Sequence, residues 1–230
     1  MNMGNYKNYT ALYGALVMMT LLVSACASGG GSRLGAMTEE GLRKVNFPSL
    51  EYLAMRPGTN LTEYNRIHLA PVTVSLAKNW QPAQTGSRVA MSPVQREALE
   101  REVGEQFTRE FRKELEANSR LTLVDAPAAG VLVITPHLVN VKLTGTNTKA
   151  QPVGTVARST GHVGMELELV DATDSTLLVR VKDSRKGEAT VGGETSEVSN
   201  EAAIARIFSA WGNFTSNGLL TLALKAENTQ

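Results

Sequence analysis

The stretch His162-Val-Gly-Met-Glu-Leu-Glu-Leu-Val-Asp-Ala-Thr-Asp-Ser-Thr-Leu-Leu-Val-Arg-Val-Lys182 decides the fold. Val163, Met165, Leu167 and Leu169 alternate with His162, Gly164, Glu166 and Glu168; beyond Asp171–Ser175, Leu177, Val179 and Val181 alternate with Arg180 and Lys182. Side chains on a strand point to opposite faces with a period of two, so this is a hairpin with one apolar face and one charged face. Any in-phase register puts Glu166 and Glu168 on the face of Arg180 and Lys182. Cross-strand ion pairs worth roughly 0.2–1 kcal/mol each are expected there, as solubility features and not as a reaction centre.

An apolar sheet face needs a cover, and two helical patterns supply it. Ser92-Pro93-Val94-Gln95 reads as a helix start: Ser92 caps, Pro93 takes the first turn where no N–H is needed, and Gln95 completes a capping box. Leu99, Val103, Phe107, Phe111 and Leu115 recur every four residues as one apolar stripe, and the helix is expected to end near Asn118. Its carboxylates, Glu97 with Glu100 and Glu110 with Glu114, read as a solvated face, since no histidine joins them. A second helix is expected from about Ser199 or Asn200, with Ile204, Ile207, Trp211, Phe214 and Gly218 at helical spacing and Trp211 in the core. Gly212 and Gly218 allow a close approach, expected to be towards the sheet.

Three more segments read as strands. Ile67, Leu69, Val72, Val74 and Leu76 nearly alternate, with a bulge or edge position expected at Pro71, and Arg56-Pro57-Gly58 before them is a turn. Leu121–Val124 is short. Ala129–Leu143 is longer, and Pro136 is expected to shift its inward set from Leu132 and Ile134 to Val139, Val141 and Leu143. Thr144–Thr160 and Gly187–Ser199 are polar and read as loops. Strands interleaved with two long helices make an α+β two-layer sandwich: a mostly antiparallel or mixed sheet with both helices packed on one face.

Composition narrows the function. Of 230 residues, 23 are Lys or Arg and 22 Asp or Glu, so no excess of positive charge gathers phosphates and a nucleic-acid partner is not expected. One cysteine and three histidines cannot build a Cys-rich zinc centre. No Gly-x-Ser-x-Gly or His-Glu-x-x-His motif is present, and His68, His137 and His162 are scattered, so no catalytic, cofactor-binding or metal-ligating residue is assigned.

The N-terminus carries the most specific signal. Residues 1–25 hold one charged side chain, Lys7, and an apolar stretch from Ala11 to Val23 that is shorter than the roughly 20 residues a membrane span requires. That is the layout of a secretory signal. Val23, Ser24 and Ala25 then precede Cys26 and resemble a bacterial lipobox: an aliphatic residue, two small residues that fit a peptidase groove, and a thiol free to accept a diacylglyceryl group. The resemblance implies lipidation of Cys26, cleavage before it and acylation of the new amine. One chain anchors only reversibly, so two or three are needed. Ala27, where an Asp would imply retention at the inner membrane, implies sorting to the outer membrane. Cleavage would remove one lysine and no acid, leaving 22 side chains of each sign. Ala27–Ala36, Gly/Ser-rich, reads as a flexible tether with an end-to-end distance of roughly 16–19 Å. The organisation expected is a signal peptide at 1–25, a lipidated N-terminus and linker at 26–46, one α+β domain at 47–226 and a tail at 227–230.

One resemblance extends over the domain. Pro57-Gly58 followed by Leu61, Tyr64 and Arg66, a strand ending at Pro71-Val72, Trp80 beyond it and a late helix with Trp211 resemble an uncharacterised family of bacterial lipoproteins, domain of unknown function 3313, over about Pro48 to Ala226. It implies a lipid-anchored envelope domain and nothing catalytic.

The expectation is therefore a non-enzymatic binding or assembly module on the periplasmic face of a Gram-negative outer membrane, attached through its lipid and contacting an envelope protein. The open sheet face and Thr144–Thr160 are the expected contact surfaces. A small-ligand or lipid carrier is the alternative, and a cell-envelope hydrolase using His68, His137 or His162 is the remaining one.

Overall fold

Hairpin residues 162–182 form the centre of a mixed sheet. The computed structural model describes residues 37–78, 91–143, 159–188 and 197–227. Within them the strands are β1 (Arg43–Lys44), β2 (Tyr52–Met55), β3 (Arg66–Leu69), β4 (Thr73–Leu76), β5 (Thr122–Leu123), β6 (Leu132–Leu143), β7 (Ser159–Asp171) and β8 (Thr176–Glu188). A short 3-10 helix spans Leu61–Glu63, and the long helices are α1 (Pro93–Glu116) and α2 (Glu197–Glu227). The sheet order is β1-β2-β8-β7-β6-β3-β5, with β4 following β3 along the edge of β6. β1, β2, β8, β7 and β6 pair antiparallel in succession, whereas β3, β4 and β5 enter parallel ladders. This is the α+β arrangement expected, with the helices packed against the sheet.

Alternation builds the core. Val163, Met165, Leu167 and Leu169 of β7, Val179 and Val181 of β8, and Leu132, Ile134, Leu138 and Val141 of β6 are buried. Against them α1 lays Val103, Phe107, Phe111 and Leu115, and α2 lays Ile204, Ile207, Phe208 and Trp211. Phe107 stacks on Phe111 at 4.8 Å between centroids, meets Phe208 edge-on at 5.2 Å, and Phe208 lies 6.1 Å from Trp211. Each such ring contributes roughly 1.5–3 kcal/mol through burial alone. α1 begins as its sequence dictates: the Ser92 hydroxyl accepts from the Gln95 N–H at 3.3 Å while the Ser92 N–H donates to the Gln95 side chain at 2.9 Å. It stops at Glu116, capped by Ala117.

Several expectations are corrected. The inward set of β6 does not change at Pro136, which is itself buried in phase with Ile134 and Leu138. Pro136 faces the break between β3 and β4, where neither strand pairs with it, so its missing N–H costs the sheet no ladder bond. The shift comes later, at a bulge around Asn140 (φ 53°), after which Val141 turns inward. β8 carries a second bulge, which buries Leu178 and leaves Leu177 half-exposed. Ser159 and Thr160 belong to β7 and Gly187 to β8, not to loops. β1 and β2 were not anticipated. Gly212 approaches α1 rather than the sheet: a Cβ there would lie 2.8 Å from the Glu114 Cβ and 3.1 Å from the Phe111 carbonyl oxygen. Among the described residues, no helix is long and apolar enough to cross a membrane.

Candidate functional site

The helices leave one sheet face uncovered, and strand register lays its side chains out in rows. The four charges share the face that the alternation predicted, and the register sets Glu166 opposite Lys182 and Glu168 opposite Arg180. Lys182 Nζ lies 3.0 Å from Glu166 Oε1, and Arg180 Nη2 donates to Glu168 Oε1 at 2.8 Å. Arg180 also donates to Glu40 at 2.9 Å, so one guanidinium joins β8, β7 and the turn before β1. That bond, with help from the local backbone, holds the Glu40 carboxyl down to about 2. Arg56 clamps the same turn from the other side, donating to the Leu177 carbonyl at 2.8 Å and the Glu40 carbonyl at 2.7 Å. His137 of β6 stands opposite Glu166 and extends the row of Glu166 and Lys182, and on the next row the Ser184 hydroxyl donates to Glu51.

The three histidines lie on three strands and are not brought together. His68 Nδ1 is 3.1 Å from the Val124 carbonyl, and His137 Nδ1 is 2.7 Å from the Thr73 hydroxyl. His162 Nδ1 is buried and has no hydrogen-bond partner among the described residues. The Thr73 hydroxyl, His137 and Glu166 share one row, yet Glu166 is engaged by Lys182 and the hydroxyl lies exposed on an open sheet. No group of three or more His, Cys, Asp and Glu able to hold a metal occurs among the described residues.

On the helical side, a groove of about 660 Å³ runs between α1 and the edge strand β4, floored by Val72, Val74 and Gly104 and rimmed by Arg101, Glu105 and Arg112. The Leu76 N–H at this edge donates to Glu100 at 3.2 Å.

Two polar contacts lay beyond the sequence reading. Asp183 points inward from β8, 6% exposed, and accepts from the Trp211 indole at 2.7 Å and from Arg185 at 2.9 Å. Its only sequence signal is an acid in phase with Val179 and Val181. The Tyr64 hydroxyl donates to Asp171 at 2.6 Å; burial first, then this carboxylate, pushes the phenol well above its ordinary range, and the same bond lowers Asp171. It ties the segment after the 3-10 helix to the β7–β8 turn.

Val23, Ser24, Ala25, Cys26 and Ala27 lie outside the described residues, as do Trp80 and residues 144–158.

The family model described as Protein of unknown function (DUF3313) matches residues 34–213. No curated protein matches. Among solved structures, the chain is similar to the PelC dodecamer from Paraburkholderia phytofirmans (16% identity, TM-score 0.34, 68% of this chain and 94% of that one). It is also similar to a Xanthomonas campestris protein assigned to the family model DUF330 (8%, TM-score 0.44, 81% and 95%). A third is a minor lipoprotein from Acinetobacter baumannii (10%, TM-score 0.30, 69% and 92%).

Proposed function

We propose a role from the premise that this chain belongs to the DUF3313 family of proteins of unknown function: it is an envelope lipoprotein whose α+β domain acts as a non-catalytic docking or assembly module. Lipids on Cys26 hold it, and Ala27 directs it to the periplasmic face of the outer membrane. The observation that carries the reading is Val23-Ser24-Ala25-Cys26 directly after the apolar stretch ending at Val23. With both helices packed against one side of the sheet, the face bearing Glu166, Glu168, Arg180 and Lys182 is left to meet an envelope protein. A carrier would need room between the layers, and Phe107, Phe111, Phe208 and Trp211, each 0% exposed, occupy it.

Intact mass of native material tests the anchor: a chain starting at Cys26 with added acyl mass supports it, and an uncut, unmodified start overturns it. Cys26→Ala should release the chain from the membrane fraction. In-cell cross-linking tests the docking role, and recovery of this protein alone across growth conditions counts against a partner.

A further inference from the structure

We propose that one end of the open face, built by Lys142, His162 and Lys186, rests on the anionic phospholipid headgroups of the bilayer that carries the anchor and so sets the orientation of the domain. The proposal rests on the membrane attachment argued above. Lys142 pairs with His162 across β6 and β7, and His162 pairs with Lys186 across β7 and β8. Directly opposed residues of antiparallel strands share a face, so the three form one row. Continuity along β7, where His162, Gly164, Glu166 and Glu168 alternate with the buried Val163, Met165 and Leu167, places the row on the open face.

Both lysines are exposed and neither forms an ion pair among the described residues. Two neighbouring carboxylates are engaged elsewhere: Glu166 with Lys182 and Glu51 with Ser184. Glu188 follows Lys186 by two positions at the end of β8, and its side chain is outside those described. The connection from β6 to β7 carries Lys149 and Arg158 and no acidic residue, whereas the one that follows β8 carries Glu194. The opposite end of the same strands carries Asp171 and Asp174 at the β7–β8 turn. Nine residues of strand separate His162 from Asp171, about 30 Å, several times the screening length of about 8 Å in physiological salt. The two ends therefore meet their surroundings independently, and an anionic surface attracts one and repels the other.

A lysine close to an anionic leaflet favours the bound state about fivefold. Two lysines are too few to recruit a protein from solution, but they suffice to orient one already held within the reach of a short tether, because the second contact is then intramolecular.

The chain has a single cysteine, so residues 26–230, which contain the whole described core, can be coupled through Cys26 to a maleimide headgroup lipid. The artificial anchor makes the outcome independent of whether Cys26 is lipidated in the cell. Lysine acylation by a soluble reagent, read by mass spectrometry, is compared on phosphatidylcholine vesicles with and without phosphatidylglycerol. Lys142 and Lys186 should be modified about fivefold more slowly on the anionic vesicles, with Lys78 and Lys113 unchanged. The protection should vanish in high salt, and Lys186→Gln should abolish most of it at Lys142. Equal rates on both vesicles, protection of Lys44 or Lys182 instead, or protection that grows with protein density on the vesicle would each overturn the proposal. An acylated native chain that failed this test would leave the anchor standing and remove only the orientation.

Discussion

The indole nitrogen of Trp211 donates to Asp183 at 2.7 Å inside the layer between α2 and β8, where the carboxylate is 6% exposed. A buried carboxylate loses its water and needs replacement donors; Arg185, at 2.9 Å from the same oxygen, is the second. Trp211→Phe keeps an aromatic ring and removes one donor, so it should destabilise the fold by about 1–3 kcal/mol. Asp183→Asn should be milder than Asp183→Ala. Urea unfolding followed by far-ultraviolet circular dichroism is the measurement, and a double-mutant cycle on Trp211 and Asp183 should fall short of additivity.

Gly212 and Gly58 respond differently to the same substitution. At Gly212 a new methyl meets Glu114 and the Phe111 carbonyl of α1, so the helices must separate; overpacking of about 1–3 kcal/mol outweighs the helix-propensity gain of about 1 kcal/mol. At Gly58 nothing lies within 4 Å, but φ is +78°, so Gly58→Ala should cost about 1 kcal/mol through backbone strain alone. Thermal melting of both variants tests this. Gly212→Ala should also perturb Phe107 and Phe111 resonances, and Gly58→Ala should not.

Acid should loosen the turn before β1. The Glu40 carboxyl sits at about 2 in the folded chain against an ordinary 4.5, held down mainly by Arg180. A lowered value means that the tie is complete above about 4.5 and is lost as pH falls towards 2. Amide exchange at Leu42, whose N–H donates to the Thr38 hydroxyl, reports on the turn. Exchange should accelerate, relative to the sheet centre, between pH 4.5 and 2, and Glu40→Gln should flatten that dependence.

Charge pairs on the open face should contribute little to stability individually. Lys182→Ala breaks one half-exposed pair and should cost well under about 1 kcal/mol, whereas Arg180→Ala severs ties to both Glu168 and Glu40 and should cost about 1 kcal/mol. Both effects should shrink in high salt, and chemical denaturation with and without salt separates them from packing.

Legibility of this chain in its sequence followed the strength of its periodicities. The hairpin, its cross-strand pairs and the Ser92–Gln95 cap were readable because two-residue alternation and capping chemistry are local. β1 and β2 were not, since two and four residues carry no period; β2 is held by pairing to distant β8 and β1 by pairing to β2. Pro136 misled because its tolerance depends on a break in a neighbouring strand. Phe208 and Gly212 both face α1, and which helix face meets which neighbour is a tertiary fact. Asp183 escaped because its donor, Trp211, lies 28 residues away. Of the candidate docking face, the charges could be read and the rows could not, because rows need register.

The turn at Thr38–Leu42 also bears on mechanics. Met37 bridges to Arg43, and Glu40 is held by two guanidinium groups rooted in β8 and at the end of β2. Traction applied to residue 37 is therefore shared between the two-residue strand β1, through the Arg43 bridge, and the sheet, through the ties of Glu40 to Arg56 and Arg180.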